Sequence, residues 1–60
     1  MSATYKKDGV YYYIETGYGF DVIHSKVIKY KSADVYGTLK DGEVIFTGTF
    51  FDCVDYVENI

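Results

Sequence analysis

The last stretch of the chain limits what the whole can fold into. From Thr49 onward, Phe50, Cys53, Val54, Val57 and Ile60 recur at spacings of three and four, the period of an amphipathic helix running to the end. Thr49 is the N-cap candidate, its hydroxyl placed to accept from the amide of Asp52. Asp52 then falls in the first turn, where the helix dipole favours an anion. A helix this short does not hold itself together in water, so its apolar stripe must be buried against something else. What precedes it reads as strands. The pattern therefore predicts an α+β fold: a small antiparallel sheet of three to five strands, with one C-terminal helix packed on one face.

The strand readings rest on alternation and on turn residues. Residues 1–4 read as a frayed start, with Tyr5 ending a short strand before a turn at Lys7-Asp8-Gly9. Val10 to Thr16 is β-branched and aromatic, with Val10, Tyr12 and Ile14 as the core face and Tyr11 and Tyr13 on the other. Gly17-Tyr18-Gly19 reads as a hairpin connection to a strand at Phe20–His24. Val22 to Tyr30 fits helical spacing as well as strand; its β-branched content favours a strand, broken near Ser25-Lys26. Val27 to Lys31 alternates, Ser32-Ala33-Asp34 reads as a turn, and Val35 to Leu39 as a further strand weakened by Gly37. Lys40-Asp41-Gly42-Glu43 reads as a hairpin turn leading into a last strand at Val44–Thr47. It echoes Lys7-Asp8-Gly9-Val10, as shared hairpin chemistry.

Sixty residues make a single domain, 1–60, which buries only about 60% of the surface of its unfolded chain. The lone Cys53 closes no internal disulfide and suits a reducing compartment. Eight Tyr and four Phe offer a small core much area per residue. No stretch is apolar enough to span a bilayer, and Met1 to Asp8 lacks the apolar centre of a secretion signal. The expectation is a cytoplasmic protein beginning at its own start codon.

The net charge of −3 hides a split. Residues 1–40 hold six Lys and four acids; residues 41–60 hold five acids and no Lys or Arg. Acidity disfavours non-specific binding to nucleic acid and suits a basic partner. Catalysis, by contrast, finds little to work with. Cys53 falls on the buried stripe, where a thiol behaves as a small core hydrophobe. His24 and Ser25, adjacent on a strand, point to opposite faces. One His and one Cys do not make a zinc site, the acids between Asp34 and Glu43 lack the offsets of a calcium loop, and Gly17-Tyr18-Gly19 lacks the rest of a phosphate-binding loop. No catalytic residue, metal or cofactor is expected, and the chain is not read as an enzyme.

Two surfaces are expected to bind. Asp52, Asp55 and Glu58 recur every three residues, with no cation to offset them. Neighbours on a helix surface are about 5–6 Å apart, so the row resembles a line of phosphates, and Asp41 and Glu43 extend it. Tyr11 and Tyr13, with Tyr30 or Tyr36, stand on an open sheet face amid Lys29 and Lys31, where tyrosines suit contact centres or stack single-stranded bases.

The tail from Gly42 through Val44-Ile45-Phe46-Thr47-Gly48-Thr49 to Val57 resembles the ending of many short, uncharacterised bacterial and phage proteins, which close with a strand, a Gly-Thr or Gly-Ser step and a short helix. The resemblance implies a context in which small proteins bind and block a host protein, anti-restriction and anti-CRISPR proteins among them. The functional expectation is thus a non-enzymatic protein-binding module, a phage-type inhibitor of a host nucleic-acid-handling protein. Its contact residues are Asp41, Glu43, Asp52, Asp55, Glu58, Tyr11 and Tyr13. The partner is a basic protein, with no direct nucleic-acid contact and no membrane. Two alternatives stay open: a single-stranded nucleic-acid binder with a tyrosine-lined sheet face, and a small homo-oligomeric assembly subunit.

Overall fold

The computed structural model describes residues 2–17 and 23–60. The chain forms four strands, β1 (Ser2–Lys7), β2 (Val10–Glu15), β3 (Ser25–Ala33) and β4 (Leu39–Gly48), followed by a helix, α1 (Phe50–Glu58). The strands pair antiparallel in the order β1-β2-β3-β4, so neighbours in sequence are neighbours in space. This is the α+β class expected, with a four-stranded sheet.

Residues directly opposite across an antiparallel pair share a face, and successive residues alternate between faces. Ala3, Ile14, Val27 and Phe46 form one such row across all four strands, with Tyr5, Tyr12 and Lys29 as the next row on that face. Tyr12, Ile14 and Val27 are buried together with Cys53 and Val57 of α1. Val10 packs at the edge of the cluster, as its place on the expected core face requires. The opposite face carries Tyr11 beside Tyr30 and Tyr13 beside Ile28.

A bulge between Val27 and Ile28 lets two consecutive β4 residues serve the core. Val27 pairs with Phe46 but Ile28 pairs with Val44, leaving Ile45 as the extra residue. Ile45 and Phe46 both pack against the buried cluster, whereas Val44, opposite Ile28, is exposed.

The turn at Asp8-Gly9 forms as expected, with φ of 52° and 80°, the positive pair that a two-residue hairpin favours. Several boundaries differ from the sequence reading. Ser2 to Thr4 are not frayed; they pair with Glu15, Ile14 and Tyr13. β2 ends at Glu15. The expected hairpin at 17–19 and strand at 20–24 lie largely outside the described residues, and Ile23 and His24 form a bend. β3 starts at Ser25, where a break was expected, and runs through Ser32 and Ala33.

The largest correction falls on 34–43. Val35 to Thr38 is a turn, not a strand. The Asp34 carboxylate accepts from the amides of Tyr36 (2.8 Å) and Thr38 (2.9 Å), and Gly37 takes φ +83°. Val35 and Tyr36 are left about nine-tenths exposed. Lys40-Asp41-Gly42-Glu43 is no turn but the middle of β4, paired with β3. Asp41 keeps a positive φ of 61°, which Asp tolerates, and its Oδ2 accepts from Ser32 Oγ at 3.2 Å. Gly42 serves a close approach: a Cβ there would stand 2.6 Å from Tyr30 Cε1.

α1 opens as read. Thr49 Oγ1 accepts from the Asp52 amide (3.1 Å), and the Thr49 amide donates to Asp52 Oδ2 (3.4 Å), a reciprocal capping box. The helix stops at Glu58 rather than running to the end; Asn59 caps it, and Ile60 is 54% exposed. Among the described residues, no helix is long and apolar enough to cross a membrane.

Candidate functional site

The helix side of the molecule carries three of the acids singled out. Cys53 and Val57 have no exposed surface, while Asp52, Asp55 and Glu58 are exposed. Burial pushes the Cys53 thiol up from its ordinary range, and the Asp52 carboxylate adds to the effect, as both disfavour the thiolate. The thiol is thus a core group, distant in kind from a nucleophile.

The acids are not equivalent. Asp52 works locally, closing the capping box at the positive end of the helix dipole. At the other end Lys7, from β1, donates its Nζ to the Val57 carbonyl at 2.5 Å. That cation offsets the dipole where the helix itself supplies none, a contact that spacing along the helix could not show. Asp55 and Glu58 have no ion-pair partner among the described residues, so they remain the carboxylates without a structural task.

Asp52 and Asp55 flank a shallow groove of about 500 Å³, completed by Phe46, Tyr56, Asn59 and Ile60. Within it the Phe46 and Tyr56 rings stack, with centroids 4.4 Å apart and planes 13° from parallel. Aromatic rings and two carboxylates lining one groove suit a planar cation: the ring quadrupole attracts it and the carboxylates accept its hydrogen bonds. Tyr56 lies off the apolar stripe of Phe50, Cys53, Val54, Val57 and Ile60, so the sequence pattern did not point to this groove. The available signal was spacing, since Cys53, Tyr56 and Ile60 also recur at three and four.

Asp41 and Glu43 take exposed positions of β4, Asp41 bonded to Ser32 and Glu43 opposite Lys29. Tyr11 and Tyr13 are on the other sheet face altogether. Register thus separates Tyr11 and Tyr13 from Glu43, which shares the face of Lys29 and Tyr12.

The tyrosine face is made by register. Tyr11 lies between Lys6 of β1 and Tyr30 of β3, and Tyr13 between Thr4 and Ile28. All three tyrosines are half-buried. Lys6 Nζ sits 5.3 Å from the Tyr11 ring centroid. The lysines of this face are Lys6, Lys26 and Lys40, which alternate with the tyrosines or share their rows. Lys29, opposite Tyr12 on the core face, and Lys31, two residues on, do not belong to it. Neither does Tyr36, which sits in the turn after β3.

A larger hollow of about 730 Å³ opens at one end of the sheet, bordered by Thr16, His24, Ser25, Thr47 and the Lys26–Glu15 pair (3.8 Å). Ser25 is 3% exposed, and its Oγ has no hydrogen-bond partner among the described residues. No group of three or more His, Cys, Asp or Glu among the described residues is placed to hold a metal ion. Comparison with protein-family models, with curated proteins and with solved structures found no match to this chain.

Proposed function

We propose that the protein is a non-enzymatic protein-binding module that docks through its helix side onto a basic protein surface. In this reading α1 lies across the sheet face that carries Tyr12, Ile14 and Val27 and turns its carboxylates outward. The burial of Cys53 and Val57 beside those residues supports that placement. One observation carries the functional reading: Asp52, Asp55 and the stacked Phe46 and Tyr56 rings line one groove open to the outside. An arginine side chain fits such a groove, because its guanidinium both stacks on rings and bonds carboxylates as a fork. Glu58, unpaired on the same helix, adds attraction over distance. The partner this chemistry fits is a protein that handles nucleic acid and so presents arginines to phosphates; in this reading the chain is an inhibitor of such a host protein.

The test is binding of an oligo-arginine peptide, read by anisotropy, against an oligo-lysine peptide of equal length. Oligo-arginine should bind more tightly, and binding should weaken with salt. Tyr56→Ala should lower affinity about 2- to 5-fold, the worth of an exposed cation–π contact. Asp55→Lys with Glu58→Lys should abolish binding. Equal affinity for the two peptides, or affinity that survives the double charge reversal, refutes the reading.

A further inference from the structure

We infer that the opposite sheet face, carrying Tyr11, Tyr13 and Tyr30, is a stacking platform for single-stranded nucleic acid. Three observations converge. Tyr11 and Tyr30 are directly opposite across β2 and β3, and Tyr13 follows Tyr11 by two residues, so the rings are adjacent on one face. Tyr30 reaches across to β4: its Cε1 and Cζ stand 2.6 and 3.0 Å from where a Gly42 Cβ would be, so the missing side chain at Gly42 leaves room for the ring. Tyrosine rings grouped on a sheet face are surfaces on which bases stack. Finally, the exposed charges around the rings are Lys6, Lys26 and Lys40 against two acids, Glu15, 3.8 Å from Lys26, and Asp41, so the face keeps a positive balance. The Asp41 carboxylate is tied to Ser32 at the rim.

The charge decides the occupant. A second copy presenting the same face would bring lysines against lysines. A polyanion with planar groups satisfies both features at once, its phosphates on the lysines and its bases on the rings. Duplex is disfavoured because its bases are stacked on one another and not free to lie on tyrosine. Net acidity of the chain is no bar, since Asp52, Asp55 and Glu58 belong to the helix and not to this face.

The experiment is titration of fluorescently labelled oligothymidylate with the whole chain at low salt, read by anisotropy. Saturable binding is expected in the non-specific range, about 10⁻⁴–10⁻⁶ M, with a log–log salt slope near −2 for three lysines on a single strand. A duplex of the same length should bind more weakly. Tyr30→Phe should bind as the parent does, and Tyr30→Leu should bind about 5- to 150-fold more weakly, the worth of one stacked base. Should Tyr30→Leu fail to fold, Lys6→Gln with Lys40→Gln decides: the slope should fall by about 1.4. Absence of saturation by about 10⁻⁴ M, equal affinity for duplex, unchanged binding by folded Tyr30→Leu, or an unchanged slope in the lysine variant overturns the inference. So does a concentration-dependent dimer that Tyr30→Leu abolishes, which would seat a second copy on the face. Asp55→Lys, which disables the helix side, should leave oligothymidylate binding no weaker, so failure of one surface is distinguishable from failure of the other.

Discussion

Cys53 shows how one side chain reports on the whole core. Its thiol has no exposed surface, and burial followed by the Asp52 carboxylate raises its pKa in the folded chain. The sign of the pH effect follows from linkage. Below the ordinary thiol range, near pH 8.5, both folded and unfolded chains keep the proton and stability is complete. As pH rises past that value the unfolded chain loses its proton first, while the folded chain resists until the raised value is reached. Stability is therefore lost across that window. Urea midpoints measured against pH should fall more steeply above about pH 8.5 for the parent than for Cys53→Ala. The two proteins differ at this group alone, so the difference isolates the thiol. Parallel curves would mean that Cys53 is not buried as described.

At the scale of elements, α1 and β4 make opposite cases. α1 was legible because its signals agree: cap, first-turn acid and stripe all fall in one short window, and the structure uses each of them. Thr49→Ala should cost about 1 kcal/mol and Thr49→Ser little, read as urea midpoints at constant slope. A negligible loss in the alanine variant would mean that the capping box does not hold the helix. β4 was misread because a local signal lost to a non-local one. Lys-Asp-Gly occurs twice, and both aspartates do adopt positive φ. Only the first glycine follows into a turn. Gly42 instead lies under the Tyr30 ring, a demand set by a strand partner twelve residues away that turn chemistry cannot reveal. The true reversal took its hydrogen bonds from the Asp34 side chain, and the apolar Val35-Tyr36 pair disguised it as strand.

Across the whole molecule, what the sequence conceals is which surface each contact residue joins. That acids would face outward followed from the stripe, because the complement of a buried face is an exposed one. That tyrosines and acids would part company depends on register and strand order, and hence on pairings between distant segments. The separation has a measurable consequence. In the proposed arrangement the helix layer and the tyrosine face are at opposite sides of the sheet, about 10 Å or more apart, as packed layers are. At about 0.15 M salt the Debye length is about 8 Å, so a charge on one side is largely screened from a ligand on the other. Glu58→Lys should then change the affinity for oligo-arginine and not for oligothymidylate, and Tyr30→Leu the reverse. The double variant should equal the sum of the single effects within about 0.3–0.5 kcal/mol for each ligand. A coupling above about 1 kcal/mol would join the two surfaces into one, and a shared surface is what the fold excludes if α1 covers the Tyr12 face. Repeating the cycle at about 0.01 M salt, where screening extends to about 30 Å, should bring a coupling term back. That return would identify the layer separation, and not weak binding at either face, as the reason for additivity at higher salt.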